Sequence, residues 1–115
     1  MASSNADTVR ASFDAYLAQD RDAIDRLLSD DLVFTSPQDD HIDKVTYFER
    51  CFPTTSRLRS QQIVHVVEAG SDGVFLMYEY ELVTGERYRN TEFITVRAGR
   101  ITDIQVFFGG RVTPS

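Results

Sequence analysis

The chain of 115 residues has the size of one ordinary domain, and 42% apolar residues with 11% aromatics suffice for a packed core, which argues against disorder. A net charge of −6 argues against a nucleic-acid binder and against attraction to anionic lipid. Cys51 is alone, so there is no internal disulfide and no cysteine metal cluster.

In chain order, the first six residues are small and polar and are expected to fray. They lack the basic start and apolar core of a secretory leader, and no apolar run approaches the ~20 residues of a membrane span, so a cytoplasmic protein is expected. From Asp7 a helix is predicted, with Val9, Phe13, Tyr16 and Leu17 on one stripe. Asp20 is a good N-cap for a second, shorter helix that buries Ile24, Leu27 and Leu28 and ends at Ser29-Asp30-Asp31. Leu32–Ser36 reads as a strand stopped by Pro37, followed by a polar loop, Gln38–His41. Asp43 caps a third helix with Val45, Phe48 and Phe52 inward and Pro53 at its end. Thr54–Arg59 is a basic, polar connector, and Leu58–Glu68 reads as a strand centred on Ile63–Val67.

The remainder is a meander: Gly73–Val83, Glu86–Arg97 and Arg100–Phe108 are strand-like runs separated by short links containing glycine, the signature of hairpins. Gly109-Gly110 closes it, with residues 111–115 as a tail. Strand parity places Val74, Leu76, Tyr78, Tyr80 and Leu82 on one face of the first run, and Phe75, Met77, Glu79 and Glu81 on the other. In the last run Ile104, Val106 and Phe108 oppose Ile101, Asp103, Gln105 and Phe107. A one-sided sheet alternates apolar with polar, but here both faces carry large apolar groups. Helices and a pocket are expected to cover one face, and a second copy of the chain part of the other. Helices first and strands last predict an α+β domain over residues 7–110.

The segment Tyr16–Leu28, then Asp31–Pro37, then His41-Ile42-Asp43-Lys44 before an aromatic helix, and finally Phe107-Phe108-Gly109, occur in an order that resembles the nuclear transport factor 2-like superfamily. Within it the chain is most similar to the SnoaL-like, or ketosteroid-isomerase-like, branch. The resemblance implies a cone in which a strongly curved, mainly antiparallel sheet wraps helices around a deep, mostly apolar pocket. It also implies a homodimer through the outer sheet face. Members include isomerases, cyclases, hydrolases, dehydratases and non-enzymatic binders, so the fold alone does not fix function.

The family's chemistry fits poorly residue by residue. Ketosteroid isomerases use an aspartate base, with a tyrosine and a protonated aspartic acid at the oxyanion. The corresponding places fall at Ser36, near Ser12 (with Tyr16 one turn on) and near Thr91, so all three depart. A hydroxyl does not replace a carboxylate as base near neutral pH without another base beside it. Epoxide hydrolases of this fold flank an arginine with two acids; Arg89 matches the arginine, but Thr91 stands where an acid belongs. Cyclases of the branch place an acid on the late strands, and Asp103 is available, although its parity puts it outside the pocket.

The residues left as candidates are as follows. His65, mid-strand, and His41, in an acidic loop beside Asp39 and Asp40, are candidate bases. Against these stand a core or dimer-face histidine and a solvated loop. Tyr78, or else Tyr16, is the candidate donor to a developing oxyanion. The pocket is expected to be lined by Tyr16, Phe34, Phe48, Phe52, Leu76, Tyr78, Tyr80, Phe93, Val106 and Phe108, with Ser36, His65, Arg89 and Thr91 as its polar groups. An inward Arg89 needs a partner or an anionic ligand; on the outer face Glu79 or Glu81 pairs with it instead. Glu92 is expected to be solvated or at a dimer interface, and Cys51 to be packing. No metal or cofactor is expected. Such a pocket suits a small hydrophobic molecule with a carbonyl or hydroxyl. Two functions remain open: a cofactor-independent isomerase, cyclase or dehydratase working by acid/base chemistry, or a ligand-binding or accessory protein without turnover.

Overall fold

The computed structural model describes residues 4–112. Helix α1 runs from Asn5 to Leu17. It starts ahead of the expected Asp7 because Ser4 and Asp7 form a capping box: the Asp7 amide donates to Ser4 Oγ at 3.0 Å and the Ser4 amide to Asp7 Oδ2 at 3.3 Å. Residues 1–3 and 113–115, part of the expected tails, lie outside the described residues. Asp20 caps α2 (Arg21–Leu27), its carboxylate accepting from the Ala23 amide. No helix among the described residues is long and apolar enough to cross a membrane.

Strand β1 (Leu28–Ser36) begins earlier than predicted, taking in Ser29-Asp30-Asp31, because Leu28 pairs with Ile101 and is buried there. The polar loop is shorter than expected, since β2 (Asp39–Ile42) folds back on β1. Asp43 caps α3 (Lys44–Arg50), accepting from the Thr46 amide at 2.9 Å. Tyr47 and Phe48 form its buried side, while Val45, predicted inward, is 66% exposed. A 3-10 turn, Phe52–Arg57, replaces the expected open connector. Strands β3 (Leu58–Ala69), β4 (Gly73–Leu82), β5 (Arg87–Arg97) and β6 (Arg100–Arg111) form the meander.

The six strands lie in the order β2-β1-β6-β5-β4-β3, antiparallel except for β1 against β6. The fold is thus α+β: helices packed on one face of a mixed, mostly antiparallel sheet. Val9, Ile24, Leu28, Leu32, Val74, Leu76, Ile94, Val96 and Ile101 are all at most 2% exposed and form the heart of the core. Ile101 belongs to this core, not to the outer face as predicted. A register shift between Thr95 and Val96 puts Ile101 opposite Val96, so Ile101 and Ile104 are both buried.

Strand β6 runs through Gly109-Gly110 to Arg111 rather than closing there. Gly109 sits against β5 so closely that a Cβ would meet the Arg89 carbonyl oxygen at 2.4 Å. The Gly109 amide donates to Asn90 Oδ1 at 3.4 Å. Gly109→Ala is therefore expected to destabilise the protein by about 1–3 kcal/mol, because two paired strands must separate to admit the methyl group. Urea denaturation measures this.

Candidate functional site

Between the helices and the concave face lies a cavity of about 540 Å³. Phe13, Ile24, Leu28, Phe34, Ile94, Ile104 and Val106 supply apolar wall; Tyr78, Tyr80, Leu82 and Tyr88 line the β4–β5 side, and Arg50, Arg57 and Gln38 also border it. All five tyrosines of the chain line this one space.

Its most unusual group is Glu92. On β5 the inward positions are Tyr88, Asn90, Glu92, Ile94 and Val96, set by the pairing of Tyr78 with Asn90 and of Leu76 with Glu92. Glu92 lines the cavity and is only 9% exposed. Tyr78 Oη donates to Glu92 Oε2 at 2.5 Å, within the range of a short, charge-assisted bond, and Asn90 Nδ2 donates to Tyr78 Oη at 3.3 Å. Glu92 Oε1 has no hydrogen-bond partner among the described residues. Burial raises the Glu92 carboxyl to about 7, with the Tyr78 bond pulling the other way. Burial, and then the charge of Glu92, push the Tyr78 phenol well above its usual range, so the shared proton stays on the phenol.

Other cavity groups are committed to the protein. Tyr16 Oη bonds the Cys51 carbonyl at 3.1 Å and Thr54 Oγ1 at 2.6 Å, and burial raises its phenol to about 12. Ser36 Oγ accepts from the amides of Gln38 and Asp39, both at 3.1 Å, which makes it a turn-former at the end of β1. Asp39 is paired with Arg50 at 2.8 Å. Burial, then Asp39, raises the Cys51 thiol to about 12, so it is no thiolate nucleophile.

Of the predicted pocket residues, Tyr16, Phe34, Ser36, Tyr78, Tyr80, Val106 and Phe108 line the cavity. The others do not. Leu76 is buried in the core, 2% exposed. Phe48 lies outside the lining with the Arg21 guanidinium 4.1 Å from its ring centre, and Phe52 packs edge-on to Tyr16. Arg89, Thr91 and Phe93 point to the opposite face because β5 has the other parity: Arg89 pairs with Glu79 at 2.9 Å and the Phe93 ring packs tilted against Phe75, centres 4.4 Å apart. His65 is turned outward by a bulge: Ile63 faces Tyr78, Val64 is unpaired, and His65 faces Met77. His41 is 72% exposed, in a left-handed backbone conformation, and bonds Asp40. Neither histidine reaches the cavity, and Asp103, paired with Val33 and Thr95, is not in its lining either.

Glu92 was expected at the surface. The signal that places it inside was its period of two with Ile94 and Val96, but Phe93 on the opposite parity masked it. A carboxyl therefore does stand in the cavity, one residue beyond Thr91.

Helices packed on one face of a six-stranded, mostly antiparallel sheet, with a cavity between the layers, are the arrangement of the nuclear transport factor 2-like and cystatin folds. The SnoaL-like domain matches residues 9–104, and the chain belongs to that family. Among solved structures, a protein of Kribbella flavida is 26% identical with a TM-score of 0.79, covering 89% of this chain and 84% of that one. A candidate ketosteroid isomerase of the same organism is 16% identical with a TM-score of 0.75, covering 96% and 82%. An LEH-like epoxide hydrolase of M. tuberculosis is 19% identical with a TM-score of 0.74, covering 90% and 77%. The likeness to the last two is one of fold. No curated protein sequence matches the chain.

Proposed function

We propose that the protein is a cofactor-independent enzyme that moves a proton on a small hydrophobic carbonyl or hydroxyl compound, as in isomerisation, cyclisation or dehydration, with Glu92 as the acid/base group. The reading rests on one observation: a carboxyl in the wall of an apolar cavity, fixed through one oxygen by Tyr78 and with the other unpartnered in the described residues. With its carboxyl raised to about 7, Glu92 has comparable amounts of base and acid near neutral pH, the condition for taking a proton from one position and returning it to another. Tyr78, supported by Asn90, holds the carboxyl in one orientation. The family, and neighbours described as an isomerase candidate and an epoxide hydrolase, support a small-molecule reaction. A thermal-shift screen of hydrophobic carbonyl compounds, followed by product analysis of each binder, tests this. Conversion without any added cofactor is expected; tight binding with no product from any binder overturns the enzyme reading in favour of a carrier.

We further propose that a second copy of the chain covers the outer sheet face. Phe75 and Phe107 are 45% and 51% exposed there, Val67 is 61% exposed, and His65, Met77 and Phe93 are their neighbours in register. Contiguous exposed apolar surface on this scale is characteristic of interaction sites. Light scattering is expected to give a dimer at micromolar concentration that Phe75→Asp converts to monomer; monomer alone in the native protein refutes it.

A further inference from the structure

Five phenols line the cavity, and three are tied to the protein: Tyr16 to the Cys51 carbonyl and Thr54, Tyr78 to Glu92, and Tyr88 to Glu86. Tyr80 is half-buried. Tyr47 is different. It is 6% exposed, its ring is packed between Phe34 and Phe48 at 5.3 and 5.5 Å, and its hydroxyl makes no hydrogen bond among the described residues. The hydroxyl oxygen is not sealed into the wall: it is open to the cavity, where solvent serves it until a ligand takes its place. Held this rigidly, Tyr47 finds its partner only in what enters the cavity.

We infer that Tyr47 is a specificity-determining residue: its phenol donates a hydrogen bond to an acceptor oxygen of the ligand on the α3 wall, while Glu92 works from β5. This deepens the proposed function and rests on the cavity being its ligand site. It narrows the ligand class to compounds whose apolar body carries an oxygen acceptor, and it sets a penalty for those without one. A hydrocarbon of the same shape would seal the Tyr47 hydroxyl away from water and leave it unpaired, which is how a polar group in an apolar site rejects the wrong molecule. Tyr47 has no covalent part in this. Burial, with Tyr16 and Glu92 nearby, raises its phenol well above the usual range, consistent with a donor that keeps its proton.

Two probes of matched shape test the inference: 1-tetralone, which carries a carbonyl acceptor, and tetralin, which lacks it. Calorimetric titration of the wild-type protein is expected to show 1-tetralone binding roughly tenfold more tightly than tetralin. Tyr47→Phe should erase that preference while leaving tetralin affinity unchanged or higher. In protein labelled at the tyrosine Cζ, the Tyr47 resonance should move on addition of 1-tetralone and much less with tetralin, a readout that needs no variant. Equal binding of the two probes by the wild type, or a preference that survives Tyr47→Phe, overturns the role of Tyr47 while leaving the cavity as a ligand site. Failure of both probes to bind at millimolar concentration overturns the cavity reading, and the inference falls with it.

Discussion

Glu92→Gln is expected to lower kcat by about 10²- to 10⁴-fold on any compound the protein converts, with binding kept, because positioned proton transfer contributes about that much. The amide keeps the shape and still accepts from Tyr78, but it cannot take or return a proton. Wild-type activity should show a limb centred near pH 7, the level to which burial raises the Glu92 carboxyl. If the carboxylate form is the working one, the rate rises with pH through that limb, and Glu92→Gln abolishes the limb along with the rate. Tyr78→Phe supplies a second check. The Tyr78 bond lowers the Glu92 pKa, so its loss should move the limb upward. His65→Ala and His41→Ala are expected to leave activity unchanged, since both rings are exposed outside the cavity. A Glu92→Gln protein with the wild-type rate, or a rate lost in His65→Ala instead, would overturn the assignment.

The same carboxyl should make the protein less stable as pH rises. Its folded-state pKa, about 7, lies above the ordinary 4.5, so between those values the folded chain holds a proton that the unfolded chain releases. Stability attached to Glu92 is therefore fully present below about pH 4.5 and lost as pH rises through 7, a change of about 3 kcal/mol. The surface carboxylates behave oppositely. The Lys44 bond to Asp25, the Thr46 amide to Asp43 and the Arg89 bond to Glu79 depress those acids, and their contribution disappears only as pH falls through their lowered values. The informative quantity is the difference between wild type and Glu92→Gln in urea denaturation at pH 5 and pH 8. The wild type should lose about 2–3 kcal/mol more than the variant over that interval. Parallel losses in the two proteins would show that ionising Glu92 costs nothing in the folded state. A costly buried carboxylate in the wall of a cavity is better explained by chemistry than by packing.

Much of the architecture was legible because it depends on local physics. Asp20 and Asp43 cap helices with their own side chains, and glycine-bearing links between β-rich runs make hairpins. A period of two put Tyr78 and Tyr80 on the face of Leu76, where they are found. The early helix start and the continuation of β6 past Gly109 are end effects, decided by a capping box and by close strand pairing. The candidate site was read less well. Parity assigns residues to two faces but does not say which face is inside, and here both faces are apolar. Phe93 therefore looked like a core residue and drew Arg89 and Thr91 inward with it, leaving Glu92 outside.

What the sequence by itself determined was the α+β order, the meander, the division of β4 into two faces and the family resemblance. Only the tertiary structure decided the direction of β5, through its register with β4, and the direction of His65, through one unpaired residue at Val64. The reason is physical. Strand alternation is a property of neighbouring residues, whereas which side is buried is settled by pairing and packing with elements far along the chain.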